Sequence, residues 1–308
     1  MKDRVKIDTV FSEEYYADTD TASMRKLTPV AKTAESKGYA NLVEPYKYDI
    51  IDKLKKLHDP DYVNSFDKGI RPLCNSQGWD WTKEIRNGVF AINRGQLTAA
   101  KLAFEKGISA NVAQGFHHAG YRSGCGFCTF NGLALVANEY PQKNVFVLDC
   151  DQHGGNGTQE FIGRKLNNLE QITINGSNFG CYEGIPEKSI CITLSPITKD
   201  WSAYEEALEF SFEEITERSP DLVIYQAGAD PHIDDPLGSL GMTTEQMRER
   251  DRLVFEFLSK SGLPSMFVLA GGYQEPIETE LVPLHVNTFE EASSAYTLLK
   301  NNKELTLT

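Results

Sequence analysis

The chain has 308 residues, 40% of them apolar and 24% charged, with a formal net charge of −13. That length suits one large α/β unit with a substantial core, so the sequence reads as a single domain over 1–308. The acidic balance argues against phosphate-bearing partners such as nucleic acid or anionic lipid, and is compatible with a cationic substrate or with solubility alone.

The opening segment, MKDRVKIDTVFSEEYY, is charged and lacks a signal-like apolar stretch, and no run approaches the roughly 18 residues needed to span a bilayer. A cytoplasmic location without membrane association is therefore expected, and with it six reduced cysteines rather than a disulfide framework. His58-Asp59-Pro60-Asp61-Tyr62 reads as capping and packing around a helix start. Trp79 and Trp81 fall in a polar loop that could rim a substrate or simply be anchored by buried indoles. Two adjacent histidines follow in Gly115-Phe116-His117-His118-Ala119-Gly120. They can handle protons if each is oriented by a carboxylate or amide, and otherwise can be surface residues. Cys125 and Cys128 form a CxxC with no second ligand pair, which favours packing over a redox pair or a metal site.

Short apolar runs without alternation then occur at 144–148, 171–174, 189–194, 221–225 and 264–269. Such runs suit central strands of a parallel sheet covered on both faces. Helical spacing over 203–215 and 243–258 lies between them, and no repeat or linker divides the chain. Alternating strands and helices predict a doubly wound α/β fold with a mostly parallel sheet, in which ligands bind beyond the carboxyl ends of the strands.

The residues at those ends are polar: Asp149-Cys150-Asp151-Gln152-His153, then Gln226 to Asp230, then Ala270-Gly271-Gly272-Tyr273. Asp151 and His153 are two apart and point the same way in extended chain, and Asp230 can complete a facial set of three ligands. Two carboxylates and one imidazole leave a position open, as catalytic metal sites do. A lone Asp-x-His can also be a capped loop or a satisfied core histidine, and it is the other strand ends that favour the metal.

Taken together, Gly115-Phe-His117-His118-Ala119, Gly126-Phe127-Cys128-x-x-Asn131, Asp149-x-Asp151-x-His153-x-Gly155-Asn156-Gly157-Thr158, Gly228-Ala-Asp230 with Asp235-Pro-Leu-Gly238, and Gly271-Gly-Tyr273 resemble the histone deacetylase superfamily over about residues 54–274. The resemblance implies a three-layer α/β/α arginase-deacetylase fold. It places Zn2+ on Asp151, His153 and Asp230, a catalytic histidine pair at His117 and His118, and a catalytic tyrosine at Tyr273. Asp149 would orient His117 and Asn156 would orient His118. An amide supplies no negative charge, so protonated His118 should be less favoured than beside an aspartate. Phe127, with Gly126 beside it, would wall a narrow substrate channel, and Phe179 or Tyr182 would form the opposite wall. A monovalent cation such as K+ is implied near Asp149, Asp151 and His153, although Asn175 stands where many members carry Ser.

Gln114, Gly132 and Gly154 depart from the family pattern, which is closest to the class IV branch and bacterial histone deacetylase-like amidohydrolases. That branch includes deacylases that accept long acyl chains. The expectation is a zinc-dependent deacylase removing acetyl or longer groups from lysine in proteins or peptides. The alternatives are hydrolysis of small acylated amines such as acetylpolyamines, and a catalytically silent binding module. The oligomeric state is not indicated.

Overall fold

In the computed structural model, the described residues are 4–177, 179–181, 187–197 and 200–306. Eight parallel strands form one sheet: β1 Ile7–Val10, β2 Ala40–Val43, β3 Ile108–Asn111, β4 Val145–Asp149, β5 Leu169–Asn175, β6 Ser189–Thr193, β7 Leu222–Gln226 and β8 Ser265–Val268. Their spatial order is β2-β1-β3-β8-β7-β4-β5-β6. The interior strands β3, β4, β7 and β8 are buried along their whole length, whereas the edge strands β2 and β6 are partly exposed. Burial on both faces is why β4, β7 and β8 read as continuous apolar runs.

Helices cover the sheet in two groups to give three layers. One comprises Ile50–Leu57, Lys83–Lys106 and Gly132–Glu139, which contact one another, and the other comprises Leu27–Ser36, Thr244–Ser261 and Val282–Thr306. The sequence-predicted helices at 203–215 and 243–258 correspond to Ser202–Arg218 and Thr244–Ser261. The second begins with a capping box in which Thr243 and Gln246 each bond the other's backbone N–H. Among the described residues, no helix is long and apolar enough to cross a membrane.

Register brings the strand ends into one row. Asp149 pairs with Thr173 on one side and Gln226 on the other, and Gln226 pairs with Val268, which pairs with Asn111. Residues one to five positions beyond that row therefore share the same edge of the sheet.

The expectation of six reduced cysteines is corrected by a disulfide between Cys181 and Cys191. Cys191 lies in β6 opposite Thr173, and the segment after β5 carries Cys181 back over that edge, with the two Cα atoms 6.4 Å apart. Cys74, Cys125, Cys128 and Cys150 are free. The CxxC is a turn closed by Cys125 N–H to Cys128 O at 3.1 Å and Cys128 N–H to Cys125 O at 2.8 Å. Burial pushes the Cys128 thiol well up, which suits a packing role rather than a reactive thiolate.

His58 is fully buried. Its Nδ1 lies 2.9 Å from Gly120 O, and its Nε2 accepts from Asn131 N–H at 3.1 Å. Asp59 caps the helix Pro60–Lys68 by accepting from Asp61 N–H. This segment supports the turn that follows the histidine pair.

Candidate active site

The site is assembled from the extensions of β3, β4, β7 and β8. Asp149, the last residue of β4, is fully buried and its carboxylate is saturated with donors. Its Oδ2 lies 2.7 Å from His117 Nδ1, and its Oδ1 accepts from Asp151 N–H at 3.1 Å and from Gln226 Nε2 at 3.0 Å. Burial pulls the His117 pKa down, but the Asp149 and Asp151 carboxylates outweigh it and hold the ring above its ordinary value.

His118 packs on His117 with ring centroids 3.9 Å apart, and its Nδ1 lies 2.6 Å from Asn156 Oδ1. A carbonyl oxygen only accepts, so Nδ1 carries the proton and Nε2 bears the lone pair. Burial, then the charge of His117, drive the His118 pKa well below its usual range. The neutral Asn156 cannot offset this as an aspartate would.

Asp151, His153 and Asp230 bring one ligand atom each to within 4.8 Å of one another. Asp151 Oδ2 accepts from Gly271 N–H at 2.7 Å, and its Oδ1 accepts from His153 N–H at 3.0 Å. Asp230 Oδ1 accepts from Gln152 N–H at 3.0 Å. Asp230 Oδ2 is buried without a hydrogen bond, and His153 Nδ1 lies 3.3 Å from it. Burial and the neighbouring Asp151 push the Asp230 carboxyl up, while the two carboxylates overcome burial and raise the His153 imidazole to about 10. A buried carboxylate oxygen left unpartnered, in a pocket that favours a positive charge, fits a divalent cation such as zinc. Gly271 is required where it stands, because a Cβ there would collide with Asp230 Oδ2.

Tyr273 sits beyond β8, its backbone N–H held by Asp235 Oδ2 at 2.8 Å. Burial, then Asp230 and Asp151, raise its phenol pKa, so the hydroxyl remains a donor. A channel of about 270 Å³ leads to these groups, lined by His118, Phe127, His153, Phe179, Leu237 and Tyr273 among others. Phe127 forms one wall. Its backbone lies in the left-handed region at φ 62°, fixed by its N–H bond to Gln77 O at 2.8 Å, and its ring stacks on Trp79 at 5.8 Å. Of the two readings for Trp79, the structure therefore supports the buried anchor, here backing the channel wall. Gly126 is also at positive φ, and a Cβ there would come 2.6 Å from His118. Phe179 faces the opposite side, with its ring 5.0 Å from His118 and 5.8 Å from His153. Tyr182, the other residue expected at this wall, lies outside the described residues. Asn175 turns away towards the Cys181 and Cys191 sulfurs, at 3.4 and 3.2 Å.

Lys26 was not anticipated from sequence. It is fully buried, and its ammonium donates to the carbonyls of Ala270, Gly271 and Gly272 at 2.8, 3.0 and 3.4 Å. Burial lowers its pKa, offset in part by Asp230, Asp151 and Asp235. A lysine near a helix start gives no sequence sign that it ends beneath the Gly-Gly-Tyr segment. Lys26→Met should leave three inward carbonyls without their donor and loosen Tyr273. Steady-state kinetics are expected to show kcat/KM reduced about tenfold or more, or about 1.4 kcal/mol, with partial recovery in Lys26→Arg. A lower melting temperature with unchanged kinetics would confine Lys26 to folding.

Residues 21–289 match the family described as Histone deacetylase domain. An uncharacterized protein of Picosynechococcus sp. is 31% identical over 79% of this chain and 82% of its own length. Histone deacetylase 2 of Arabidopsis thaliana is 26% identical over 88% of this chain and 75% of its own length. Among solved structures, an acetylpolyamine aminohydrolase from Burkholderia pseudomallei superposes with a TM-score of 0.77 at 19% identity, covering 96% of this chain and 99% of the other. That likeness establishes the arginase-deacetylase fold.

Proposed function

The chain belongs to the histone deacetylase family, a family of amide hydrolases, and on that premise we propose that it is a zinc-dependent deacylase acting on the ε-amine of lysine in proteins or peptides. It would work as one catalytic domain over 1–308, in the cytoplasm. The observation that carries this reading is the meeting of an unpartnered carboxylate oxygen on Asp230, a neutral histidine and a protonated tyrosine at the end of a channel walled by two phenylalanines.

Asp151, His153 and Asp230 would hold Zn2+, which supplies Lewis acidity to an amide carbonyl and lowers the pKa of a water towards about 7. His118, with its Nε2 lone pair free, takes the proton from the attacking water and returns it to the leaving amine. His117, its positive form favoured by the Asp149 carboxylate, stabilises negative charge developing at the carbonyl. Tyr273 donates its hydroxyl proton as a hydrogen bond to the same oxygen. Phe127 and Phe179 enclose the aliphatic stem of the lysine and exclude water. A K+ ion near Asp149, Asp151 and His153 would have to rely on backbone carbonyls, because both Asp149 carboxylate oxygens already accept hydrogen bonds and Asn175 faces elsewhere.

The net charge of −13 favours a second reading, hydrolysis of a small cationic substrate such as an acetylated polyamine. Comparing kcat/KM for an acetyl-lysine peptide and for acetylspermidine separates the two. The lysine reading predicts at least a tenfold preference for the peptide, and the reverse preference establishes the small-amine reading.

Asn156→Asp tests the assignment of His118. The new carboxylate stabilises the imidazolium and raises the His118 pKa, so the neutral base appears only at higher pH. The acidic limb of the kcat/KM profile is expected to move up by about one unit or more. An unmoved limb would take His118 out of the base role.

A further inference from the structure

Beyond the channel lies a second, much smaller cavity of about 20 Å³. It shares Gly126, Phe127 and Tyr273 with the channel, reaches His117 and Asp151, and is lined further by Ser23, Gln114, Gln226 and Ala270. These last four residues are all buried. His118 lines the channel, whereas the inner cavity is reached past His117. An amide whose leaving nitrogen faces His118 therefore directs its amine into the channel and its acyl group into the inner cavity.

The room there is small. About 10–15 Å³ of such volume holds one water, so about 20 Å³ admits a group of roughly methyl size. Among Ser23, Gln114, Gln226 and Ala270, Gln114 is the largest side chain that is held at its backbone while its amide is free to meet a ligand. Its backbone carbonyl is pinned by Gln96 Nε2 at 2.8 Å, yet both its side-chain amide atoms are buried with no partner. Gln226 Oε1, on the same cavity, is also unpartnered, although its Nε2 is bonded to Asp149. The back of the cavity is thus bulky and polar. An alkyl chain pressed against it would clash with the Gln114 side chain and seal unpaired amide groups away from water, which disfavours binding beyond the steric effect.

We propose that Gln114 is a specificity-determining residue that restricts the enzyme to short acyl groups, acetyl above all, by closing the acyl end of the site. This inference rests on the deacylase reading above, and it narrows the acyl range that the family resemblance leaves open.

The test compares acetyl-, butyryl- and octanoyl-lysine peptides on the zinc-loaded protein, on Gln114→Gly and, as a second small variant should the first misfold, on Gln114→Ala. In the unaltered protein, kcat/KM is expected to fall at least tenfold from acetyl to octanoyl. In the small variants that ratio should narrow at least tenfold. Equal turnover of acetyl and octanoyl peptides by the unaltered protein, or an unchanged ratio in both variants, overturns the proposal. A binding readout works without turnover: fluorescence anisotropy with labelled peptides on Tyr273→Phe and on Tyr273→Phe/Gln114→Gly. Acetyl peptide should bind at least tenfold more tightly than octanoyl to the first, with the gap lost in the second; equal affinities in the first overturn the proposal. Failure to hydrolyse any peptide counts against the deacylase reading alone, because the binding comparison still decides the role of Gln114.

Discussion

Tyr273→Phe is expected to lower kcat by about 100-fold or more while leaving zinc affinity within about twofold. The substitution removes one oxygen and little else. The Tyr273 backbone N–H stays bonded to Asp235, and the ring keeps its place 5.8 Å from Phe127. The ligands Asp151, His153 and Asp230 are untouched. What disappears is a hydrogen-bond donor aimed at the oxygen where charge develops, and removal of one such donor typically costs about 10²–10³ in kcat. Binding of the ground-state amide depends far less on that bond, so KM should change only slightly. Turnover of an acetyl-lysine peptide and calorimetric titration with zinc check this together. Equal losses in both would mean that Tyr273 holds the site in shape and does not act on substrate.

Much of the sheet was legible in sequence for a physical reason. Strands β4, β7 and β8 are buried on both faces, so they must be apolar throughout, and their polar extensions stand out against them. Other parts carry no such signal. β3 is buried yet reads Ile-Ser-Ala-Asn, because Ser109 bonds Ala99 O at 2.6 Å and Asn111 Oδ1 accepts from Tyr15 OH at 2.8 Å. β1 lies within the charged opening segment and is only four residues long. The helix Lys83–Lys106 buries Asn93, Gln96 and Thr98 together with Gly88 and Gly95, which blurs its apolar stripe.

The site divides in the same way. Asp151 and His153 are two apart in the sequence, so their nearness is local, but they lie beyond the end of β4, where a turn with His153 N–H on Asp151 Oδ1 sets their direction. The meeting of Asp230, Tyr273 and the histidine pair depends on which strands lie side by side, and the family resemblance stood in for that information. Phe179 was one of two candidates for its wall, and the structure brings it against His118 and His153. Nothing in the local sequence distinguishes Lys26 from a surface lysine, nor Cys181 and Cys191 from the free cysteines. The partner of Lys26 is set by the packing of a distant segment, and that of Cys181 by how the chain returns to β6 ten residues on.

Metal removal is expected to have the largest effect of all. Asp151 and Asp230 raise each other's cost of ionisation in a buried pocket, and the second oxygen of Asp230 has no hydrogen bond. Burial of such a group is costly, so a cation that satisfies it should bind tightly and stabilise the fold in proportion to its affinity. Without the cation the carbonyl loses its main polarising group, and His118 must deprotonate water of ordinary acidity. The direct measurement is turnover of an acetyl-lysine peptide after exhaustive chelation, with residual zinc quantified, followed by readdition of stoichiometric zinc. The account predicts that kcat falls to about 1% or less and returns with zinc, together with a rise in melting temperature. Undiminished turnover by protein shown to be free of metal would contradict it.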